Sequence, residues 1–181
     1  DYSNGGDAIV ALKSITSVKQ LKGQKVGYNP LSPSDFLLSY ALKQNGMSEK
    51  DIKPVNMGAE AVASAMAAGG VPIGVTYEPS VSQIVATDKG SKFHVIYSSK
   101  EAPGIITDVL VFSKKFIDAH PAEVKAVIQG YLDALDYMKK EPAKANAIIA
   151  KVMKITPKEV EEQFASVYNL PLAEAPKVFA K

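Results

Sequence analysis

Two residues, Tyr77 and Glu78, stand between a short apolar pattern and the start of a helix. The apolar residues of 71–75 alternate as in a buried strand, and Pro79 then opens a helical pattern. In open α/β sheets, ligands bind beyond the carboxyl ends of the strands, where helix N-termini also point. Tyr77 and Glu78 are therefore predicted to face a small-molecule pocket.

Two further junctions have the same character. The strand pattern of residues 25–28 runs into a loop with several hydroxyl groups, and a helix follows for which Ser34 or Asp35 is the predicted cap. Gly58 precedes a third helix, which is rich in small residues. Three such junctions predict one wall of a pocket, and the helix N-termini suit an anion or a carboxylate. A purely structural interpretation stays open, in which these residues only cap helices and Tyr77 closes the end of the sheet.

The sequence gives little support to catalysis or to a metal site. It contains no cysteine, and its two histidines, His94 and His120, are far apart in the chain and belong to different patterns. Phosphate-binding loops, nucleophile elbows and zinc-protease motifs are all missing. We therefore predict no enzyme activity, no cofactor and no metal.

Composition narrows the class of protein further. The chain has 181 residues, 46% of them hydrophobic, and a formal net charge of +2. A charge so near neutrality, without a basic run, gives no basis for nucleic-acid binding. No apolar run approaches the roughly 20 residues that cross a bilayer.

These junctions lie in the first of two regions with different patterns. Between residues 21 and 112, short strand patterns alternate with helical ones, which is typical of α/β units around a mainly parallel sheet. The last strand predicted there covers residues 105–112, IITDVLVF. From Lys114 onward the periodicity is helical, and residues 170–181 show no clear period.

Several segments together resemble a known family. They are DYSNGGDAIVAL, ITSVKQLKGQKVGY, PSDFLLSYALKQNGMSEKDI, VTYEPSVSQIV and ITDVLVFSKKFIDAHPAEVKAVIQGYLDAL. In this order they resemble the periplasmic solute-binding proteins of ABC transporters of the nitrate/sulfonate/taurine type, whose group includes proteins that bind thiamine precursors. The resemblance covers nearly the whole chain. One departure is Pro72-Ile73, where an Asp-Ala pair would be more usual.

The resemblance implies an α/β fold of the periplasmic binding protein type (type II), with two lobes and the ligand between them. Residues 1–13 would form the first interlobe crossing, 14–102 the second lobe with its mainly parallel sheet, and 103–113 the return crossing. Residues 114–181 would be the helical part of an incomplete first lobe, because family members carry further elements ahead of a segment like DYSNGGDAIVA. The chain would then be one piece of a longer protein.

The resemblance also implies a set of ligand-binding residues. The polar turns of the second lobe and the two crossings would supply Ser32, Ser34, Asp35, Gly58, Ala59, Tyr77, Glu78, Asn4, Asp7 and Asp108. Hydroxyls and helix N-termini favour an anionic group, whereas Asp7, Glu78 and Asp108 favour an amine or a ring N–H. A zwitterion would satisfy both sets.

The implied function is capture of a small organic or sulfonate-like solute and its delivery to an ABC transporter permease. The implied location is periplasmic or extracytoplasmic, with membrane contact only through the permease or a lipid anchor outside this chain. Two alternatives stay open: a ligand-sensing domain of a regulator, and an enzyme related to the thiamine-pyrimidine synthases. The absence of cysteine argues against the enzyme, because those synthases need a cysteine-rich site.

Overall fold

The computed structural model describes residues 1–175, so the end of the segment predicted to be irregular, residues 176–181, lies outside the described residues. The chain divides into two compact units. The first contains Asp1–Thr107 together with the segment that begins at Ser166, and the second is Asp108–Ala165.

Within residues 1–107 and 166–175, the first unit contains two sheets and three complete α-helices. Its strands are β1 (Tyr2–Ser3), β2 (Asp7–Leu12), β3 (Lys25–Tyr28), β4 (Lys53–Asn56), β5 (Ile73–Tyr77), β6 (Phe93–Ser98) and β7 (Val167–Tyr168). Its helices are α1 (Pro33–Gln44), α2 (Ala59–Ala67) and α3 (Ser80–Ala86). β1 and β7 pair with each other, and Tyr2 stacks on Tyr168 at a ring-centroid distance of 4.8 Å.

The main sheet has five strands in the order β4-β3-β5-β2-β6. β3 pairs in parallel with β4 and β5, while β2 is antiparallel to both β5 and β6. Four strands therefore run in one direction and β2 alone runs against them. The predicted α/β class is confirmed. The sheet, which was predicted to be mainly parallel, is mixed because β2 is antiparallel to both of its neighbours.

Both faces of this sheet are buried. Ile9 and Ala11 of β2 belong to one apolar cluster, which also contains Leu37, Leu38 and other residues of α1. Ala8 and Val10 belong to a second cluster with residues of α2 and α3. Since successive strand residues point to opposite faces, the apolar run of β2 is that of a strand covered on both sides.

A glycine in β5 allows α2 to approach the sheet closely. A Cβ atom added at Gly74 would overlap the side chains of Val62 and Met66 on α2. Both of those side chains are fully buried. Gly74 is therefore required by packing, since interiors at native density have no room for an added methyl group.

The second unit is entirely helical in its regular structure. Its helices are α4 (Lys114–Ala119), α5 (Pro121–Lys140), α6 (Pro142–Met153) and α7 (Pro157–Phe164). Three of them begin with proline, which fits the first helical position because its missing N–H would have no partner there. α7 also carries a capping box at its N-terminus, in which Thr156 Oγ1 accepts from the Glu159 N–H at 3.2 Å.

The strand predicted over residues 105–112 is wrong. Thr107 makes only an isolated bridge to Tyr2, and residues 108–112 form no ladder with any of the described residues. Their β-branched and apolar composition favours a strand, but a strand exists only where a neighbour supplies hydrogen-bond partners.

Candidate functional site

One edge of the five-stranded sheet collects polar groups from every strand. The carboxyl ends of β3, β4, β5 and β6 lie at this edge because these strands share a direction, and the amino end of β2 lies there because β2 is reversed. The register places Tyr28 beside Asn56, Asp7 opposite Tyr77 and Ala8 opposite Ser98. We call this edge, with residues 4–7, 28–35, 56–59, 77–78 and 98–99, the site edge.

Helix α1 begins two to three residues earlier than predicted. Ser32, and neither Ser34 nor Asp35, is the N-cap residue of α1, and Pro33 occupies the first helical position. Ser32 Oγ donates to the Asn29 carbonyl at 2.6 Å. The expectation failed because proline is favoured immediately after the cap, which fixes the cap at the residue before Pro33.

Ser34 is the most unusual polar residue of this loop. It lies in the first turn of α1 with 1% of its surface exposed, and its hydroxyl has no hydrogen-bond partner among residues 1–175. A buried hydroxyl without a partner costs free energy, on the order of 1–3 kcal/mol. Such a group next to the free N–H groups of a twelve-residue helix is suited to accept or donate a bond to a ligand.

Asp35 has a structural role in the same loop. Its Oδ2 accepts from the Leu31 N–H at 2.8 Å, and its Oδ1 lies 3.5 Å from the Ser39 hydroxyl, which donates to it. Burial raises the pKa of the Tyr28 phenol at the end of β3, and the charges of Glu49 and Asp35 raise it further. Tyr28 is therefore a neutral hydroxyl at physiological pH.

Tyr77 and Glu78 differ in how available they are. The Tyr77 side chain is 47% exposed at the end of β5. Glu78 is already bonded to the first turn of α3: its Oε2 accepts from the Ser82 N–H at 3.1 Å and its Oε1 from the Ser82 hydroxyl at 2.9 Å. Glu78 therefore caps helix α3, as the purely structural interpretation expects. Tyr77 is exposed and can contact a ligand.

Glu78 also borders a hollow that follows α3. This open hollow of about 640 Å³ is lined by Gly5, Glu78, Val81, Ser82, Val85, Ala86, Lys89, Gly90 and Val95. Glu78 is the one predicted site residue in this set. The hollow runs between α3 and the edge strand β6, so it does not bring the predicted residues together.

The amino end of β2 is organised by hydroxyl groups that the sequence analysis did not single out. Asp7 is buried, and its N–H donates to Ser3 Oγ at 3.1 Å. Ser3 Oγ lies 2.8 Å from Ser99 Oγ, which also accepts from the Gly5 N–H at 2.8 Å. The available signal was the capping pattern Ser98-x-x-Glu101, which places Ser99 in a short helical turn at the end of β6.

For three other predicted site residues, the contacts seen in the structure are those of the backbone. The Asn4 N–H donates to the Ser166 carbonyl at 2.8 Å. Gly58 is the N-cap residue of α2, and the carbonyl of buried Ala59 accepts from the Thr76 hydroxyl at 3.1 Å. These residues lie at the site edge, whereas Asp108 is exposed in the second unit.

The chemistry available at the site edge is that of binding by hydroxyls, N–H groups and an aromatic ring. No group of three or more His, Cys, Asp and Glu among residues 1–175 could hold a metal ion. The sequence contains no arginine, so no residue of this chain could hold an anionic solute by the two-pronged contact that arginine makes. The N-terminus of α1 is the site-edge feature best suited to an anion.

Comparison with known proteins identifies a family that matches most of the chain. The family model described as NMT1/THI5 like matches residues 4–145. A Brucella abortus protein named as a binding protein is 23% identical over 172 residues, which are 95% of this chain and 54% of that one. The taurine-binding periplasmic protein of Escherichia coli is 29% identical over 133 residues, 71% of this chain and 39% of that one.

Solved structures share the fold. The periplasmic aliphatic sulphonate binding protein of Escherichia coli matches with a TM-score of 0.77 at 18% identity, over 98% of this chain and 61% of that chain. A desulfurization enzyme matches with a TM-score of 0.57 at 13% identity, over 89% of this chain and 61% of that one. The chain thus spans about half the length of the curated relatives that it matches from end to end, such as the Brucella abortus protein. Within residues 1–175, no helix combines the length and apolarity needed to cross a bilayer.

Proposed function

The chain belongs to the NMT1/THI5-like family, and on that premise we propose that it is part of the substrate-binding component of an ABC importer. It would capture a small organic or sulfonate-like solute between two lobes and deliver it to a membrane permease. The relatives named above as taurine-binding and aliphatic sulphonate binding proteins support this solute class. The location we propose is periplasmic or extracytoplasmic, where those relatives are named as residing.

The observation that carries the proposal is the buried, unpartnered hydroxyl of Ser34 at the N-terminus of α1. A sulfonate or carboxylate oxygen there would accept from this hydroxyl and from the free N–H groups of the first helical turn. Tyr77 would contact the solute from the neighbouring strand, and buried Asp7, opposite Tyr77 in the register, would favour an amine. Ser32, Asp35, Glu78, Gly58 and Ala59 would then serve mainly by shaping these loops.

We also propose that residues 14–102 of the first unit and the helices of the second unit belong to different lobes. The boundary between them, at Thr107 and Asp108, falls inside the segment 103–113 that the family resemblance assigns to the return crossing. In the second unit, the apolar side chains of residues 109–111 are more than half exposed. The remainder of the first lobe would cover them, and Asn4, Asp7 and Asp108 would line the hinge side of the cleft.

Binding alone explains the arrangement without a chemical step. A solute that contacts both lobes favours the closed state by its differential affinity for that state, and the permease would recognise the closed form. The two histidines have other contacts: His94 Nε2 lies 2.8 Å from the Ile15 carbonyl, and His120 Nδ1 lies 3.3 Å from Glu123. The shared fold of the desulfurization enzyme carries no implication of catalysis, since one fold hosts many functions.

Isothermal titration of the complete protein tests the proposal. The panel contains taurine, an alkanesulfonate, an aromatic sulfonate and a pyrimidine, and at least one is expected to bind. Ser34→Ala should weaken that binding by about tenfold, because a hydrogen bond to a charged group is lost. Ser64→Ala, at an exposed hydroxyl on α2, is the matched control and should leave affinity unchanged. Silence of the wild-type protein across the whole panel would remove the proposal.

A further inference from the structure

Leu31 has a combination of exposure and backbone conformation that folding does not explain. Its relative exposure is 99%, and its φ is 56°. A left-handed conformation is unfavourable for a residue with a Cβ atom, and glycine or asparagine adopts it more easily. A leucine with no packing contact to offset this conformational cost adds nothing to the stability of the first unit.

The loop around Leu31 is held in place. The Leu31 N–H donates to Asp35 Oδ2 at 2.8 Å, and Ser32 Oγ donates to the Asn29 carbonyl at 2.6 Å. Pro30 and Pro33 restrict the backbone on both sides. The exposed side chain is therefore presented from a defined position at the site edge.

Leu31 also differs from every comparable residue of the described chain. Within residues 1–175, the other non-glycine residues with a positive φ are Asp88, Lys89 and Lys154, which are all polar. Single exposed apolar residues are common on protein surfaces, and alone they need no explanation. An exposed apolar residue with a strained backbone conformation is less common, and residues with strained backbones cluster at ligand-binding sites.

Two other large apolar side chains are exposed on the elements that border this loop. Phe36, in the first turns of α1, is 53% exposed, and Tyr77, at the end of the neighbouring strand β5, is 47% exposed. Phe36 follows Ser34 by two residues in α1, and Tyr77 lies at the site edge at the end of the strand that pairs with β3. An apolar rim next to a polar contact suits a solute with a polar head and an apolar body.

We propose that Leu31 is a specificity-determining residue that contacts the apolar body of the solute. This inference rests on the proposed function and adds the chemical character of the part of the solute that lies beyond its anionic head. Leu31 would discriminate between solutes whose apolar bodies differ in length, because each additional buried methylene group strengthens binding.

The test is isothermal titration of the complete protein with ethane-, butane- and hexanesulfonate. In the wild type, affinity should rise by about fourfold for each methylene group that is buried. Leu31→Ala should weaken hexanesulfonate binding by about tenfold and ethanesulfonate binding by less than about twofold. Leu172→Ala, at another exposed leucine, is the control and should change neither value.

The melting temperature of Leu31→Gly separates recognition from folding. Glycine suits the positive φ, so the variant should melt at the wild-type temperature or slightly above it while losing the dependence on chain length. A lower melting temperature, an equal loss across the three sulfonates, or no loss at all would each overturn the role of Leu31. Absence of binding by the wild type to all three would instead refute the sulfonate class itself, and this inference with it.

Discussion

The two units bury apolar surface to very different degrees. In the first unit both faces of the sheet are covered, and Leu37, Leu38 and Leu42 of α1 are fully buried. In the second unit the twenty residues of α5 include no buried one, although its sequence has a clear apolar face. Helical periodicity therefore predicts that a face exists, and only neighbouring elements decide whether that face is covered.

Matched leucine truncations should give the largest difference between the units. Leu38→Ala should destabilise the first unit by about 2–5 kcal/mol, because it leaves a cavity in a closed core. Leu110→Ala, at a side chain that is 56% exposed, should stay within about 0.5 kcal/mol in the chain described here. Urea unfolding of both variants measures the two free energies.

The same pair also tests the proposed lobes. In the complete protein, Leu110 would be covered, so Leu110→Ala should then cost more than about 1 kcal/mol. Equal and small effects of Leu110→Ala in both contexts would contradict the assignment of residues 109–111 to an interior surface.

Two glycine-to-alanine substitutions should act in opposite directions. Gly74→Ala should destabilise by about 1–3 kcal/mol, because the added methyl group overlaps Val62 and Met66. Gly130→Ala, in the exposed middle of α5, has nothing within 4 Å of its new Cβ and should stabilise by about 1 kcal/mol. Thermal unfolding followed by circular dichroism reports both changes, and a neutral Gly74→Ala would mean that α2 can move away from β5 at little cost.

The smallest predicted effect is a change in the pKa of a carboxyl group in a capping box, and each unit contains such a box. The Thr156 N–H and hydroxyl each donate to Glu159 at 2.7 Å, and these bonds lower the pKa of Glu159. A pKa lowered in the folded state stabilises above the unfolded pKa, and this contribution is lost as the pH falls through the folded pKa. Thr156→Ala removes the hydroxyl bond and keeps the larger contribution of the backbone N–H, so it should raise the pKa of Glu159 only part of the way toward its ordinary value in an NMR titration.

Asp51 in the first unit provides the internal control for that titration. Its pKa is lowered mainly by the backbone N–H of Ser48. Thr156→Ala should leave the pKa of Asp51 unchanged, since the two boxes belong to different units. No shift at Glu159 would show that the Thr156 hydroxyl does not contribute to its lowered pKa, and a shift at Asp51 would show that the effect of the substitution is not local.

Much of the fold could be predicted from local patterns. β3 was predicted with its bounds, and the helix after Pro79 and the capping box at Thr156 follow rules that act over a few residues. The strand predicted over residues 105–112 failed because it requires a distant partner that local composition does not reveal. β2 was read only as part of a crossing segment, although its apolar run is typical of a strand buried on both faces.

The candidate site was less predictable than the fold. Strand-to-helix junctions indicated the site edge, since parallel strands bring their carboxyl ends together. The engagement of Glu78 with Ser82, the unpartnered hydroxyl of Ser34 and the left-handed Leu31 depend on side-chain geometry that sequence patterns do not specify. Ser3 and Ser99 were missed because they lie 96 residues apart and meet only through the pairing of β2 with β6.

The reversed direction of β2 has a consequence for protein engineering. Because Ala8 lies opposite Ser98, the polypeptide enters and leaves the five-stranded sheet through adjacent positions. Domains whose termini lie close together tolerate transplantation into a host loop and circular permutation. Every pairing of the main sheet lies within residues 7–98, which makes this segment the piece to choose for such a transplantation.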